Sequence, residues 1–599
     1  MSLSFQKLNP VLVRDPRTII DNVRDYAILK SGSQTTWKQY TTTSVSTSSI
    51  QFSCPPPSGG IIVDRKQYFY LPARVSFSGV PPSGYKIIRP NQDAPRAYPI
   101  ASSIDTLTST INNQSVSVNS ADIIHGLLHY NTDAKLKNHD YSMTPTCPDQ
   151  SQNYSDLLGA IRNPLNNYGD SNDESVMGRG GFAYWKVVSN PTGDGVTTMT
   201  AVIDMVVCEP LFLLSPFFWG CGNASAFFNV TTMDFNFTFL GQAANRVWSH
   251  DPSGVTGTTI TGSSIQFSNF TGTPFSFSQQ GLGAVPVMLF NYITPQDVQV
   301  LSPNMSITYP YFEVPRYPTD YGASVAPNES IQMTSNNIQL SSIPRRLYIF
   351  VRQRNQDLYS NPANTDTFFQ INNVNIQFQN KSGLLSNASM AQLYEMSVQN
   401  HCNMTFTQWS GGPVYAPGNL SAQIGTIGSV VCVEFATNIG LESLDAPGKL
   451  GQYMLQVQVQ TTNVNQTLSI TPTLYIVPVL EGTYTVESLG RSSSNIGVIS
   501  STDILDAQSR PFINYKDVEH VNGGDFLSGL KDFGNKLLSG LKTAHDFVKE
   551  NKLLSRGLSL IPHPAAQVGS RAAESFGYGD GILVGGRRMD RSELRKRLR

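Results

Sequence analysis

One stretch, residues 343–412, limits the fold of this chain more than any other. Leu347-Tyr348-Ile349-Phe350-Val351 is a continuous apolar run entered through Ile343-Pro344-Arg345-Arg346. After it, Val374, Ile376 and Phe378 alternate with Asn375, Gln377 and Gln379. The unbroken run reads as a buried strand. The period-two alternation reads as a strand with one packed face and one wet face, which predicts that Phe378 points inward with Val374 and Ile376. Then the period lengthens. From 388 to 398, Met390, Leu393 and Tyr394 form the apolar stripe of a short helix, with Asn387 as the expected N-cap. The stretch closes on Phe406, on Trp409, expected in a core or an interface, and on a Gly- and Pro-rich loop at 411–418. Strand, strand, helical insert and long loop describe a loop-rich β-sandwich and not an enzyme pocket.

The same signals recur along the chain. Strands are expected at 68–71 and 75–77, interrupted at Pro72, and at 201–207, 226–230 and 235–239. Others are expected at 285–292, 305–312 and 331–340, then beyond the central stretch at 430–434, 455–459 and 474–479. One short helix is expected at 122–130. A loop as long as 140–173 inside a compact domain usually carries function or an interaction surface. The 599 residues exceed the ~250–300 at which single cores stop growing. Two blocks of short strands therefore read as two sandwiches in tandem. The expected boundaries are an N-terminal arm at 1–49, a first sandwich at 50–245, a loop or linker at 246–284 and a second sandwich at 285–488. An extended linker at 489–522, an amphipathic helical segment at 523–560 and a flexible basic tail at 561–599 follow.

Only 14% of residues are charged, against roughly a quarter in typical soluble domains, so Asn, Gln, Ser and Thr carry the polar role. Net charge is −1 but uneven: from residue 511 onward there are 15 Lys+Arg against 10 Asp+Glu, which leaves the body mildly acidic. A uniformly basic nucleic-acid-binding domain is excluded; a basic tail is not. The six cysteines, Cys54, Cys147, Cys208, Cys221, Cys402 and Cys432, form no CxxC pair, which argues against a zinc ribbon. The first ten residues lack the apolar core of a secretory signal, so a non-secreted protein with free cysteines is expected. The best apolar run, 205–219, carries Glu209 and two prolines and is too short and broken to span a bilayer.

His125-Gly126-Leu127-Leu128-His129 places two histidines at i, i+4. A metal site needs a third ligand and usually Glu beside the first His; Gly126 stands there, so a partly buried helix face is expected. Residues 529–536 imitate a phosphate loop but lack Lys-Ser/Thr after the glycine and follow no strand. There is no Gly-x-Ser-x-Gly elbow, and the expectation is a protein without catalytic, metal or cofactor-binding residues. Arg345, Arg346, Arg352 and Arg354 cluster on or beside one strand and are expected to form salt bridges at a domain or subunit contact. Within 523–556, Phe526, Leu530, Phe533, Leu537, Leu541 and Phe547 recur at helical spacing opposite a lysine-rich side. This is a candidate membrane or scaffold helix.

The runs IPRRLYIFVR, INNVNIQFQNKSGLLSNASMAQLYEMSVQN and TQWSGGPVYAPG resemble the second jelly roll of double jelly-roll major capsid proteins of the polinton-like virus, adintovirus and virophage group. The resemblance is clearest over 343–482 and implies an all-β fold of two tandem jelly rolls (a double jelly roll), followed by the amphipathic helical region and basic tail. It implies a homotrimer forming a pseudo-hexameric capsomer in the icosahedral shell of a double-stranded DNA virus. Implied partners are neighbouring capsomers, penton and minor capsid proteins, and, through the C-terminal region, the viral genome or an internal membrane. The implied location is the virion, assembled inside the host. Leu583-Val584-Gly585-Gly586, ahead of Arg587, resembles the cleavage site of adenovirus-type cysteine proteases, and Gly523-Gly524 is a weaker candidate. Paired glycines also suit entry into a narrow cleft, and glycine-rich tails are where proteolysis concentrates. Beyond that site Arg587, Arg588, Arg591, Arg595, Lys596, Arg597 and Arg599 form a candidate nucleic-acid tail against Asp590 and Glu593. The alternative readings are a carbohydrate-binding or adhesion sandwich, with Trp409 and Tyr415 as sugar platforms, and a minor vertex capsid protein.

Overall fold

The computed structural model describes residues 34–57, 62–89, 93–96, 98–130, 182–210, 226–250, 259–267, 285–294, 306–360, 366, 368–416, 419–465, 468–487, 490–508, 582–584 and 587–589. Two sandwiches of two antiparallel sheets each account for most of them. In the first, one sheet runs Gln34–Thr41, Val287–Thr294, Ile62–Gly79, Met199–Pro210, Phe182–Ser189, with Ile260–Gln266 also on Ile62–Gly79. The facing sheet runs Ser44–Val45, Ser49–Ser53, Met233–Phe239, Ile104–Ile111, Gln114–Val118. The second sandwich pairs a sheet of Ile307–Glu313, Pro472–Val486, Arg346–Gln353 and Val430–Glu434 with one of Ser330–Thr334, Leu450–Thr462, Gln370–Phe378 and Lys381–Leu384.

The strands form where the residues alternate. Met233–Phe239 buries Met233, Phe235, Phe237 and Phe239 and leaves Asp234 and Asn236 exposed. Phe52, Phe69 and Phe237 then meet across the first sandwich at ring distances of 4.5–6.0 Å. In the second sandwich Phe378 is 3% exposed, 4.9 Å from the Phe435 ring and 5.8 Å from that of Tyr453, so it faces inward as the alternation predicts. Arg346–Gln353, the expected buried run, is buried at every position. The helical insert is Met390–Gln399, but its N-cap is Ser389 and not Asn387. Ser389 forms a capping box with Gln392, its hydroxyl accepting from the Gln392 N–H while the Gln392 carboxamide accepts from the Ser389 N–H. Ser389→Ala is expected to cost about 1 kcal/mol in chemical denaturation.

Several sequence expectations are corrected by strand pairing. Val287–Thr294 does not open the second sandwich; it lies between Gln34–Thr41 and Ile62–Gly79 in the first. The first sandwich therefore reaches residue 294 and draws in part of the expected arm. The expected linker contributes Ile260–Gln266 to the same sheet, and Ser492–Ile496, expected as extended linker, pairs with Pro472–Val486. Pro72 does not interrupt its strand. Val287, where Val287–Thr294 begins, lies opposite Tyr70, and Gln266, where Ile260–Gln266 ends, lies opposite Arg74, so Pro72 falls in a gap where, on that side, no ladder bond needs its missing N–H. The 226–230 segment makes one bridge, Val63 to Phe227, and no strand. The 331–340 segment is two strands, Ser330–Thr334 and Ile338–Ser342, on one partner, Leu450–Thr462. The expected loop at 140–173 and the helical segment at 523–560 lie outside the described residues.

Glu209, the charge within an apolar strand, is fully buried and accepts hydrogen bonds from the Ile100 and Ala101 N–H groups at 2.8 and 3.0 Å. Burial outweighs those two bonds and pushes its pKa up to about 7. The folded state then holds a proton that the unfolded state has already lost, so this residue's contribution to stability is complete below the ordinary glutamate pKa and lost as pH rises toward 7. Glu209→Gln is expected to flatten that part of the pH–stability profile, measured by urea denaturation across pH 4 to 8.

Candidate functional site at the seam between the sandwiches

The helix Ser120–Leu127, buried at every residue, joins the two sandwiches. Its Gly126 packs against Phe350 of the second sandwich so closely that a Cβ would lie 3.0 Å from Phe350 Cε1. The glycine standing where a metalloprotease helix carries its glutamate thus lies against that ring, which would have to shift by a few tenths of an ångström to admit a Cβ. The helix ends at Leu127, so His129 does not share a helical face with His125. His125 Nε2 lies 3.0 Å from Asp366, whereas the His129 ring meets the edge of Phe368. Among the described residues no group of three or more His, Cys, Asp or Glu is placed to hold a metal.

Around that helix runs a chain of buried charges of alternating sign. Arg246 of the first sandwich pairs with Asp366 of the second, which also takes Arg352 at 2.9 Å. Arg352 reaches back to the first sandwich, donating to the Ala121 carbonyl at 3.1 Å and Asp122 at 3.2 Å. Asp122 also pairs with Arg316 and accepts from Asn355 at 2.6 Å. The Arg352 guanidinium stacks 4.9 Å from the centre of the Tyr475 ring. Burial alone would raise the pKa of Asp366, but Arg246, His125 and Arg352 hold its carboxyl well below the usual carboxylate range.

Two further patches close the seam. The Val430 carbonyl accepts from the Tyr130 hydroxyl of the first sandwich and from Trp409 Nε1, at 2.9 Å, of the second. Trp409 is fully buried, as expected of a core residue, and is therefore closed to a sugar ring. At the other end, Asn112 Nδ2 donates to Ser492 Oγ at 3.1 Å, the Ser492 N–H donates to Asn113 at 2.8 Å, and the Tyr484 hydroxyl donates to the Ile111 carbonyl at 3.0 Å. This arrangement holds two bodies in one orientation; it presents no activated nucleophile.

The expected arginine cluster is paired throughout. Arg345 meets Glu481 at 2.9 Å and Glu434 at 3.5 Å, Arg346 approaches Glu434 at 3.9 Å and Arg354 bonds Asp357 at 2.6 Å. Of the four, Arg352 makes the domain contact. Asp122, Asp366, Arg246 and Tyr130 were not singled out from sequence. The available signal was a charge, such as Arg352, inside an otherwise apolar strand of a chain that uses few charges. Of the C-terminal candidates, Leu583, Arg587 and Arg588 lie in paired strands, with Leu583 opposite Arg588 and Val584 opposite Arg587. Gly585 and Gly586, Gly523 and Gly524, the six apolar helix positions and Arg591 to Arg599 fall outside the described residues. Cys54, Cys208, Cys402 and Cys432 are buried.

Comparison with known proteins matches this architecture at three levels. Residues 5–279 match the family model of the Sputnik virophage major capsid protein first domain, and residues 314–482 that of the major capsid protein V20 C-terminal domain. The V20 protein of Sputnik virophage is 36% identical over 619 residues, spanning all of both chains. The chain in the cryo-EM structure of the Sputnik virophage superposes with a TM-score of 0.71 at 33% identity, covering 87% of this chain and 100% of that one. The mavirus major capsid protein shares the fold at 15% identity, with a TM-score of 0.64 over 85% of this chain and 99% of its own. The full-length identity, the two family spans and the paired sandwiches agree: this chain belongs to the virophage major capsid protein family.

Proposed function

We propose that three copies of this chain close into a pseudo-hexameric capsomer, and that such capsomers, with penton and minor capsid proteins, build the icosahedral shell of a double-stranded DNA virus. The role is structural and its place is the virion. The observation that carries the reading is the seam: buried ion pairs and tyrosine bonds make two sandwiches one block, so three chains supply six similar lobes for a closed symmetric ring. Purified full-length protein is expected to run in mass photometry at three times the chain's 65.6 kDa. A persistent monomer that forms no shells overturns the reading.

The C-terminal region is read as a maturation device. A viral cysteine protease would cut after Gly586 or, as the second candidate, after Gly524. Before cutting, the basic tail from Arg587 would hold precursor protein to the genome through phosphate contacts, and the 523–560 segment would lie on an internal membrane or scaffold. Intact-mass spectrometry of protein from mature virions tests this: an end at Gly524 or Gly586 supports it, and a chain ending at Arg599 sinks it. Truncation after Val521 is expected to leave soluble trimer, since that segment's helical period does not belong to the strand-built cores; loss of trimer would show the segment docked on the sandwiches.

A further inference from the structure

The second sandwich turns one sheet to the seam, whose hydrogen bonds run to Arg346–Gln353, Val430–Glu434 and Pro472–Val486 and their connections. Its other sheet has an unusual composition. Ser330–Thr334, Ile338–Ser342, Leu450–Thr462 and Gln370–Phe378 together contain no Asp, Glu, Lys or Arg, in a chain that is 14% charged; the sheet's one lysine, Lys381, stands on its edge strand Lys381–Leu384 and donates to the Gly440 carbonyl. Their outward positions are amides in register: Gln332 opposite Gln460, Asn375 opposite Gln458, Gln377 opposite Gln456. On the same outward row of Leu450–Thr462, Met454 is 47% exposed and Leu450 53% exposed.

The amides are only loosely engaged with one another. Asn375 Nδ2 to Gln458 Oε1 is 3.5 Å, Gln458 Nε2 to Thr334 Oγ1 is 3.3 Å and Gln339 Nε2 to Gln452 Oε1 is 3.4 Å. These are at the long end of the hydrogen-bond range, so donors and acceptors are left for another surface. A solvated face normally carries charge; depletion of charge with exposed Met is the composition of a protein interface centre. The choice of occupant follows from the same chemistry. A face without charge has nothing to recognise an acidic or basic partner, including nucleic acid. A carboxamide offers both donors and an acceptor, so copies of one surface chemistry meet without like-charge repulsion.

We infer that the amide face of these four uncharged strands is the surface through which one copy of the chain contacts another. The inference rests on the capsomer reading and adds to it the residues that make the contact. The test is Gln377→Glu/Gln452→Glu/Gln458→Glu in the full-length chain. These changes keep side-chain shape and place three negative charges on positions that touch no core. The variant is expected to keep the wild-type thermal midpoint and to lose assembled species, trimers or shells, at least tenfold at a concentration where wild type is assembled. High salt is expected to restore part of the loss. The single variant Gln458→Lys, carrying the opposite sign, is expected to weaken assembly as well, and it serves if the triple variant melts early. Wild type that assembles beside variants that assemble equally overturns this inference alone. Wild type that never assembles, by mass photometry and negative-stain microscopy, overturns the capsomer reading and this inference together.

Discussion

Asp366→Ala is expected to destabilise the chain by about 3–5 kcal/mol, because it removes the anion between two buried cations. Arg246 and Arg352 are 1% exposed each, and both reach Asp366 from opposite sides of the seam. Without it their charges stay in a dry interface with Asp122 as the remaining carboxylate on Arg352. Urea denaturation of the purified protein measures the effect, and an unchanged midpoint would show that the seam is not held by charge. The pair Asp366→Ala with Arg352→Ala is expected to cost less than the sum, since each single change breaks the same Arg352–Asp366 contact. The acid limb carries a second signature. The folded carboxyl of Asp366 is held below its unfolded value, so between the two values the unfolded state binds more protons and stability rises with pH. That contribution is present above the ordinary aspartate range and is lost as pH falls through the folded value. Asp366→Asn is expected to abolish this part of the acid-unfolding profile.

Phe378→Ala is expected to cost about 3–5 kcal/mol, the range for deleting a buried aromatic ring. The ring packs edge-on to Phe435 and stacks on Tyr453, joining the two sheets of the second sandwich. Its neighbour Gln377 is exposed on the opposite face of the same strand, and Gln377→Ala is expected to stay within about 0.5 kcal/mol of wild type. Equal effects of the two substitutions, read from thermal or urea midpoints, would mean that the strand register is shifted by one residue.

Much of the architecture is local, and local features are legible in a sequence. Alternation at 374–378 and 235–239 states which side chains share a face, and the switch in spacing at 388–398 marks the insert, because period depends only on near neighbours. The cap was misplaced by two residues because Asn387 and Ser389 both suit the role; the Gln392 carboxamide, three residues after Ser389, decides between them through the reciprocal bond. The resemblance at 343–418 supplied the double jelly roll, which alternation alone does not.

What the sequence by itself determined, then, is which faces of its clearly alternating strands, such as 235–239 and 374–378, are dry. Only the tertiary structure decided who pairs with whom. Val287–Thr294 has the composition of any buried strand, and its place in the first sandwich is settled by Gln34–Thr41 and Ile62–Gly79, more than 200 residues earlier. Pro72 lies within a strand because the pairings on one side stop at Tyr70 and resume at Arg74, leaving a gap opposite it. The seam is the extreme case: Asp122, Arg246, Arg352 and Asp366 come from four separate segments. Each is an ordinary surface charge until folding removes its water and leaves the others as its partners.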